Sequence, residues 1–319
     1  EFVVPHGAVS LLSGLLRDYV HGVVRAEVFS DAPRRIERRA PGVRGARFTP
    51  DGSVFETLTA GPNNIWGLVT SREGETFFQE ANDIGYPVIP YEPGVWVATG
   101  SKDRLRPYQP LMPPPLPPAQ MGGTGLSGLA LSEGSDSFPG PWRDVFFLAN
   151  PITNTINAVR ATPEAGRYRY EKLPDFLTTT DKWFRPVAIH FGPDGALYVV
   201  DWYNKIISHN EVPREHPDRD KSRGRIWRIR HRDQPRVTPP DLTKFDDRAL
   251  VAQLGAPNAL VSRLAWLELT DRRATAVAPE LEKLAADRTT ATDRRLAALW
   301  ALESLQPIST ALLRQLSSD

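Results

Sequence analysis

The stretch IHFGPDGALYVVDW, residues 189–202, constrains this chain more than any other. Alternating apolar residues flank a Pro-Asp-Gly turn, the pattern of two antiparallel strands joined by a tight turn. Glycine supplies the positive φ that such a turn requires. RFTPDGSVFETL (47–58) and LVTSREGETFFQE (68–80) repeat the shape, the latter with Arg-Glu-Gly as the turn. The chain has 30 prolines, most before residue 241, which disfavours long helices there. Repeated strand–turn–strand units predict a β-propeller, in which each blade is a small antiparallel sheet. A β-sandwich is the alternative.

The character changes after Pro239-Pro240. Residues 241–319 are rich in Ala, Leu, Arg, Asp and Glu at helical spacing. Candidate helices are 244–254, 258–269, 274–286, 291–304 and 307–317. Leu260, Leu264 and Leu267 share one predicted face, as do Leu281, Leu284 and Ala285. Short amphipathic helices bury such faces by stacking, so the pattern predicts HEAT- or armadillo-like repeats, or a plain helical cap. The expected domains are a partial β-propeller over 1–236 and an all-α segment over 241–319.

The chain contains no cysteine, which excludes disulfides, thiolate zinc sites and covalent haem attachment within it. Net charge is +1, so nothing in the global balance implies a nucleic-acid partner. No apolar run has the length of a membrane-spanning helix. The first residues lack an initiator Met and a basic leader, and the chain starts mid-pattern, as a segment of a longer protein would.

GGTGLSG (122–128) places Gly123, Gly125 and Gly128 in the spacing of the dinucleotide-binding fingerprint. That fingerprint needs a strand before it and a helix after it. Here a proline run precedes it, and Gly134 and Pro139 break the segment after it. Proline cannot serve a central strand, and no helix N-terminus is available for a pyrophosphate. The expectation is a loop leading into the strand GLSGLALSE, then DVFFLAN and TINAVRA. Its glycines allow close approach to a ligand or to a neighbouring blade.

Three stretches together resemble the quinoprotein glucose/sorbosone dehydrogenase superfamily: GPNNIWGLVTSREGETFFQEANDIGYPVIPY, GLSGLALSEGSDSFPGPWRDVFFLAN and FRPVAIHFGPDGALYVVDWYNKII. The order of FRPV, GPDGALYVVDWYN, IISH and RGRIWRI, followed by helices, resembles the bacterial membrane-bound dehydrogenase propeller, or PVC-type haem-binding family. The resemblance covers roughly residues 45–300. It implies a six-bladed, TolB-like propeller that oxidises a sugar or alcohol with pyrroloquinoline quinone (PQQ) and calcium. It also implies a periplasmic or extracytoplasmic location and a c-type cytochrome domain elsewhere in the parent protein. The strands here suffice for only part of such a propeller. The superfamily's early-blade histidine has no matching motif; His6 and His21 are weak substitutes.

The resemblance places Arg185 where the superfamily has an arginine facing the quinone, a role suited to a guanidinium. Asp201, with Trp202 beside it, is either a metal or ligand contact or a turn-capping carboxylate. Glu80 and Asp83 are candidate metal carboxylates, and Asn63, Asn64 and Gly125 candidate cofactor contacts. SHNEVPREHPDRDKSR (208–223) separates two segments that should pair, far longer than a hairpin loop needs. Its His209 is a candidate general base, Arg214 a candidate cofactor contact, and Asp218 and Asp220 offer hard oxygen ligands. An exposed, internally salt-bridged loop is the alternative. The Pro-rich run 107–118 reads as a stiff crossover or an extended partner ligand. The overall expectation is a fragment of a PQQ-type dehydrogenase. Its rivals are a non-catalytic scaffold for carbohydrate or protein, and a lactonase-like metal hydrolase.

Overall fold

The computed structural model describes the backbone of residues 11–16, 19–25, 43–48 and 55–60. It also describes, apart from the Arg167 side chain, residues 65–81, 88–90, 124–134, 138, 140–164, 167–208 and 211–318 in full. Four antiparallel sheets follow one another along the chain. The first joins β1 (Leu11–Leu16), β2 (Tyr19–Arg25), β3 (Val43–Phe48) and β4 (Phe55–Ala60) in sequence order. The second holds β5 (Ile65–Thr70), β6 (Thr76–Glu80) and β7 (Ile89–Pro90). The third runs β8 (Ser127–Ser132), β9 (Val145–Asn150), β10 (Thr155–Glu164) and β11 (Arg167–Lys172), with β12 (Leu177–Thr178) also on β10. The fourth holds β13 (Pro186–Phe191), β14 (Leu197–Asp201) and β15 (Arg225–Ile229).

The first strands of the second, third and fourth sheets stand side by side. β5 packs on β8, and β8 on β13. Glycine sets the closeness: a Cβ on Gly67 would lie 2.7 Å from Leu129 Cβ, and one on Gly128 3.0 Å from Ala188 Cα. Later strands fan outward from this row, giving a β-propeller-like fold. VFFLAN is buried throughout because its strand is covered on both faces. Phe146 and Leu148 join Phe77, Leu126 and Leu129 in one cluster, while Phe147 and Ala149 join Phe138, Ile189 and Leu197 in another. Period-two alternation therefore serves two adjoining cores.

The three first strands share a detail that their sequences do not announce. Each has a bulge after its first residue. Ile65 and Gly67 oppose Glu80 and Gln79, Ser127 and Leu129 oppose Ala149 and Leu148, and Pro186 and Ala188 oppose Asp201 and Val200. The extra residues are Trp66, Gly128 and Val187. A bulge at the same place in three sheets marks them as copies of one structural unit.

Five α-helices come next among the described residues: α1 (Asp247–Gln253), α2 (Ala259–Asp271), α3 (Ala278–Ala286), α4 (Thr292–Leu305) and α5 (Thr310–Leu316). Side chains of Asp246, Asn258 and Ser309 cap α1, α2 and α5, each capping contact contributing about 1 kcal/mol. Their core includes Leu250, Trp266, Leu269, Leu281, Ala298 and Leu302. The leucine stripe expected on α2 is not its buried face. The buried face of α2 is Val261, Ala265, Trp266 and Leu269, whereas Leu264 is 39% exposed. Leucine spacing alone misplaces the stripe by about one residue, because the bulkier Trp266 and the small Ala265 fit the packing against α4.

The helices pack against the turns at one end of the sheets. Arg263 donates to the carbonyls of Thr70 and Ser71 in the β5–β6 turn, the latter at 2.7 Å. Asn258 Nδ2 donates to Gly192 O of the β13–β14 turn, at 3.2 Å, while its Oδ1 caps α2. Arg72 donates to Pro257 O at 2.8 Å and pairs with Asp293. The helical layer thus covers the hairpin-turn end and leaves the opposite end to other contacts.

Candidate functional site

The candidate site is the rim where β5, β8 and β13 begin. Antiparallel pairing brings the ends of β6, β9 and β14 to that rim as well, far from the helices. Each of those second strands ends on a buried polar residue: Glu80, Asn150 and Asp201.

The rim is laced from sheet to sheet. Gly125 N donates to Ala81 O at 2.9 Å, joining the third sheet to the second. Gly125 has φ +83°, and Ile152 lies over the place a Cβ would occupy. Asn150 Nδ2 donates to Thr124 O at 3.1 Å, and its Oδ1 accepts from the backbone of Ile152 and Thr153. Arg185 then joins the third sheet to the fourth. Its Nη1 donates to Pro151 O at 2.7 Å, its Nε to Asn204 O at 2.9 Å and its Nη2 to Lys205 O at 3.2 Å. Arg185 is 6% exposed. Burial lowers its pKa below the ordinary arginine value, with Asp201 and Asp181 acting in the opposite sense.

Asp201 is the anchor of the fourth sheet. Oδ1 accepts from Arg185 N at 2.8 Å and Tyr203 N at 2.9 Å. Oδ2 accepts from Arg225 Nε at 2.8 Å and Trp227 Nε1 at 3.0 Å. These four donors take the lone pairs of a carboxylate that is 1% exposed. Asn150 and Asp201 therefore perform one job in successive sheets. Each caps the turn after its strand, and Asp201 also pins the start of the neighbouring first strand.

Outside Asp201 lies an aromatic and cationic layer. Trp183 and Tyr203 have ring centroids 5.3 Å apart. Arg225 lies 3.8 Å from the Tyr203 centroid and 5.0 Å from that of Trp227. Arg223 covers Trp183 and Tyr203 at 5.7 and 5.5 Å. Asp181 accepts from Arg225 Nη2 at 3.0 Å; the Trp183 backbone N–H, then Arg225, hold its carboxyl below the usual range. Asp220 is held down to about 2, chiefly by the Ser222 backbone N–H. Trp202 and Trp227 are 39% and 44% exposed, so the layer is open to a ligand.

The long loop before β15 is a built structure rather than a loose insertion. Arg219 collects the carbonyls of Ser208, Val212 and Pro213. Asn204 Nδ2 donates to Asp220 O at 2.8 Å, fastening the loop to the rim. Lys205 pairs with Asp218 at 2.7 Å.

Of the residues singled out from sequence, Gly125, Arg185, Asp201 and Trp202 meet at this rim, where Trp202 N donates to Arg185 O at 2.9 Å. Glu80 is buried at the matching position of the second sheet, opposite Ile65. Arg214 is exposed on the loop. Asn63, Asn64, Asp83, His209 and the Pro-rich run 107–118 lie outside the described residues. Among the described residues, no three His, Cys, Asp or Glu side chains are gathered to hold a metal. Tyr203, read from the sequence with Trp202 as aromatic shelter for Asp201, does stand in this layer; sequence reasoning missed Asn150, Trp183, Arg225 and Trp227. A signal existed: TFFQE, VFFLAN and LYVVD each run from apolar residues to a terminal polar residue.

The fold and rim define a propeller-like β domain with a helical layer over its hairpin end and a polar, aromatic rim at the other. The chain belongs to the family described as a domain of unknown function, DUF7133, whose profile matches residues 27–233. No curated protein matches it. It is similar to an oxidoreductase of Thermus thermophilus described as a glucose dehydrogenase, with 21% identity and TM-score 0.38 over 58% of this chain and 54% of that one. It is similar to the soluble aldose sugar dehydrogenase of Escherichia coli, with 17% identity and TM-score 0.34 over 50% and 51%. A third similarity is to the PQQ domain of pyranose dehydrogenase from Coprinopsis cinerea, with 16% identity and TM-score 0.34 over 62% and 68%. The chain spans about half the length of the Thermus and Escherichia proteins. Among the described residues, no helix is long and apolar enough to cross a membrane.

Proposed function

We propose that this chain is part of a dehydrogenase-like propeller whose rim binds PQQ and a sugar or alcohol. The observation that carries this is the meeting of Gly125, Arg185, Asp201 and Trp202, drawn from two of the resembling segments, at one open rim. When bound, PQQ supplies a quinone that accepts two electrons from a substrate C–H bond.

Arg185 fits the holding of such a group. Three backbone carbonyls fix its guanidinium, and among the described residues two of its five N–H groups have no acceptor. A rigid cationic donor of this kind orients a carboxylate or quinone oxygen without reorganising. Trp202 offers a flat apolar face for a planar ring, and Gly125, Asn63, Asn64 and Arg214 complete the proposed contacts. His209, in the segment 208–223, is the proposed base for the substrate hydroxyl proton.

Calcium fits less well at Asp201. Its four lone-pair positions already accept N–H groups, one from the Arg225 cation, so no coordination is assigned there. Glu80 and Asp83 stay as the proposed metal carboxylates. HEAT-like pairing of the helices, a six-bladed parent, a cytochrome partner domain and an extracytoplasmic location belong to the same proposal.

The test is titration of the full chain with PQQ, with and without calcium, followed by tryptophan fluorescence and PQQ absorbance. Saturable binding is expected, weakened about tenfold or more in Arg185→Lys and in Trp202→Ala. Trp202 is surface-exposed, so its variant reports binding even if the Arg185 variant misfolds. Absence of saturable binding by the wild-type chain under both conditions overturns the proposal and leaves the scaffold and metal-hydrolase readings.

A further inference from the structure

At the opposite end from the rim, a cleft of about 660 Å³ lies between the sheet turns and the helical layer. Arg72, Gly134 and Arg143 line it from the sheets, and Pro257, Asp293 and Arg294 are among its lining residues from the helices. Among the described lining residues, three arginines face one carboxylate. Asp293 is paired with Arg72, whose guanidinium also donates to Pro257 O and Ala256 O at 2.8 and 3.1 Å. That pair is neutral and already committed. Among the described residues, the side chains of Arg143 and Arg294 find no hydrogen-bond or ion-pair partner. Nε of Arg294 is buried and has no acceptor there.

Arg294 is also fixed in place. Gly255, at φ +73°, sits so close that a Cβ there would stand 2.8 Å from Arg294 Cα. Arg143 is held by the turn after the third sheet's first strand, where Arg143 N donates to Gly140 O at 3.2 Å. Two guanidiniums without a side-chain partner among the described residues, Arg143 exposed and Arg294 half-buried, one from each layer, therefore line one concave space. A buried guanidinium N–H without an acceptor is a costly group unless a ligand supplies one.

We infer that this cleft binds a small phosphate-type oxyanion, clamped between Arg143 and Arg294 across the two layers. A tetrahedral oxyanion presents acceptors to both guanidiniums at once, and Arg recognises phosphate through two parallel N–H contacts. The volume exceeds that of inorganic phosphate and leaves room for the organic part of a phosphate monoester. The site is independent of the rim and of the proposed quinone.

The experiment is calorimetric and thermal-shift titration of the full chain with inorganic phosphate, glycerol 3-phosphate and, as control, chloride at matched ionic strength. Saturable binding of phosphate but not chloride is expected, with a rise in Tm because the anion bridges two layers. Arg143→Gln and Arg294→Gln should each weaken it about tenfold or more. Arg143→Lys and Arg294→Lys should keep part of the affinity, and circular dichroism checks that every variant is folded. Tighter binding of the ester identifies an organic phosphate as the ligand; equal binding identifies the free anion. No response beyond chloride, or binding unchanged in both folded Gln variants, overturns the inference.

Discussion

Replacing Gly128 with alanine tests the contact that makes this fold propeller-like. Two costs add. Gly128 has φ +79°, a left-handed conformation that costs a residue with a Cβ about 1–2 kcal/mol. The added Cβ would also stand 3.0 Å from Ala188 Cα and 3.1 Å from Ile189 N. Both are backbone atoms of β13, so no side-chain rotation relieves the overlap, and β8 and β13 must separate at about 1–3 kcal/mol. The total is about 2–5 kcal/mol. Gly140 provides the control: its φ is +63°, but an added Cβ meets nothing within 4 Å. Gly140→Ala should therefore cost only the conformational part, about 1–2 kcal/mol. Urea unfolding followed by tryptophan fluorescence measures both variants. At an m-value of about 2–3 kcal/mol/M, the steric difference separates their midpoints by roughly 0.3–1.5 M. If Gly128→Ala is no more damaging than Gly140→Ala, the side-by-side arrangement of β8 and β13 is wrong.

Two further perturbations probe opposite ends of the sheets. Asp201→Ala removes the acceptor for four N–H groups, one of them the buried Arg185 amide, and should destabilise the chain by about 3–5 kcal/mol; a loss under about 1 kcal/mol would mean that these bonds do not anchor the fourth sheet. At the helix-facing end, burial raises the Glu133 carboxyl to about 7, with Arg263 only partly opposing it. The folded chain then holds a proton that the unfolded chain releases near 4.5, so stability should fall as pH rises from about 4.5 through 7. Glu133→Gln should flatten that slope in urea midpoints measured from about pH 4.5 to 8; parallel profiles for wild type and variant would refute the assignment.

Much of the strand pattern was legible because it is local. The Pro-Asp-Gly and Arg-Glu-Gly turns mark the β13–β14 and β5–β6 hairpins, and both form. GLSGLALSE, DVFFLAN and TINAVRA form β8, β9 and β10 in the paired order expected. DWYNKII and GRIWRIR contribute to strands that pair despite the long loop between them. The helical spacing after Pro240 also produces helices, though Leu264 shows that leucine spacing alone did not locate the buried stripe. The site was legible only in part. Arg185 and Asp201 stood out as charged residues beside a strand. Asn150 did not, because its role depends on Thr124 O, a partner distant in sequence.

Local sequence was enough to locate most of the described strands, turns and helices, because turn chemistry and hydrophobic period act within a few residues. It also argues against a nucleotide cradle at GGTGLSG, since the proline run disfavours the strand and the later Gly and Pro break the helix that such a cradle needs. What Gly125 and Gly128 do depends on long-range packing. Gly125 turns beneath Ile152, and Gly128 bulges against β13. The tertiary structure alone revealed the shared bulges, the linked rim, and the two arginines, without side-chain partners among the described residues, that line the opposite cleft. These depend on which distant segments pack together. That choice comes from burying two faces of each sheet at once, which no single stretch of sequence encodes.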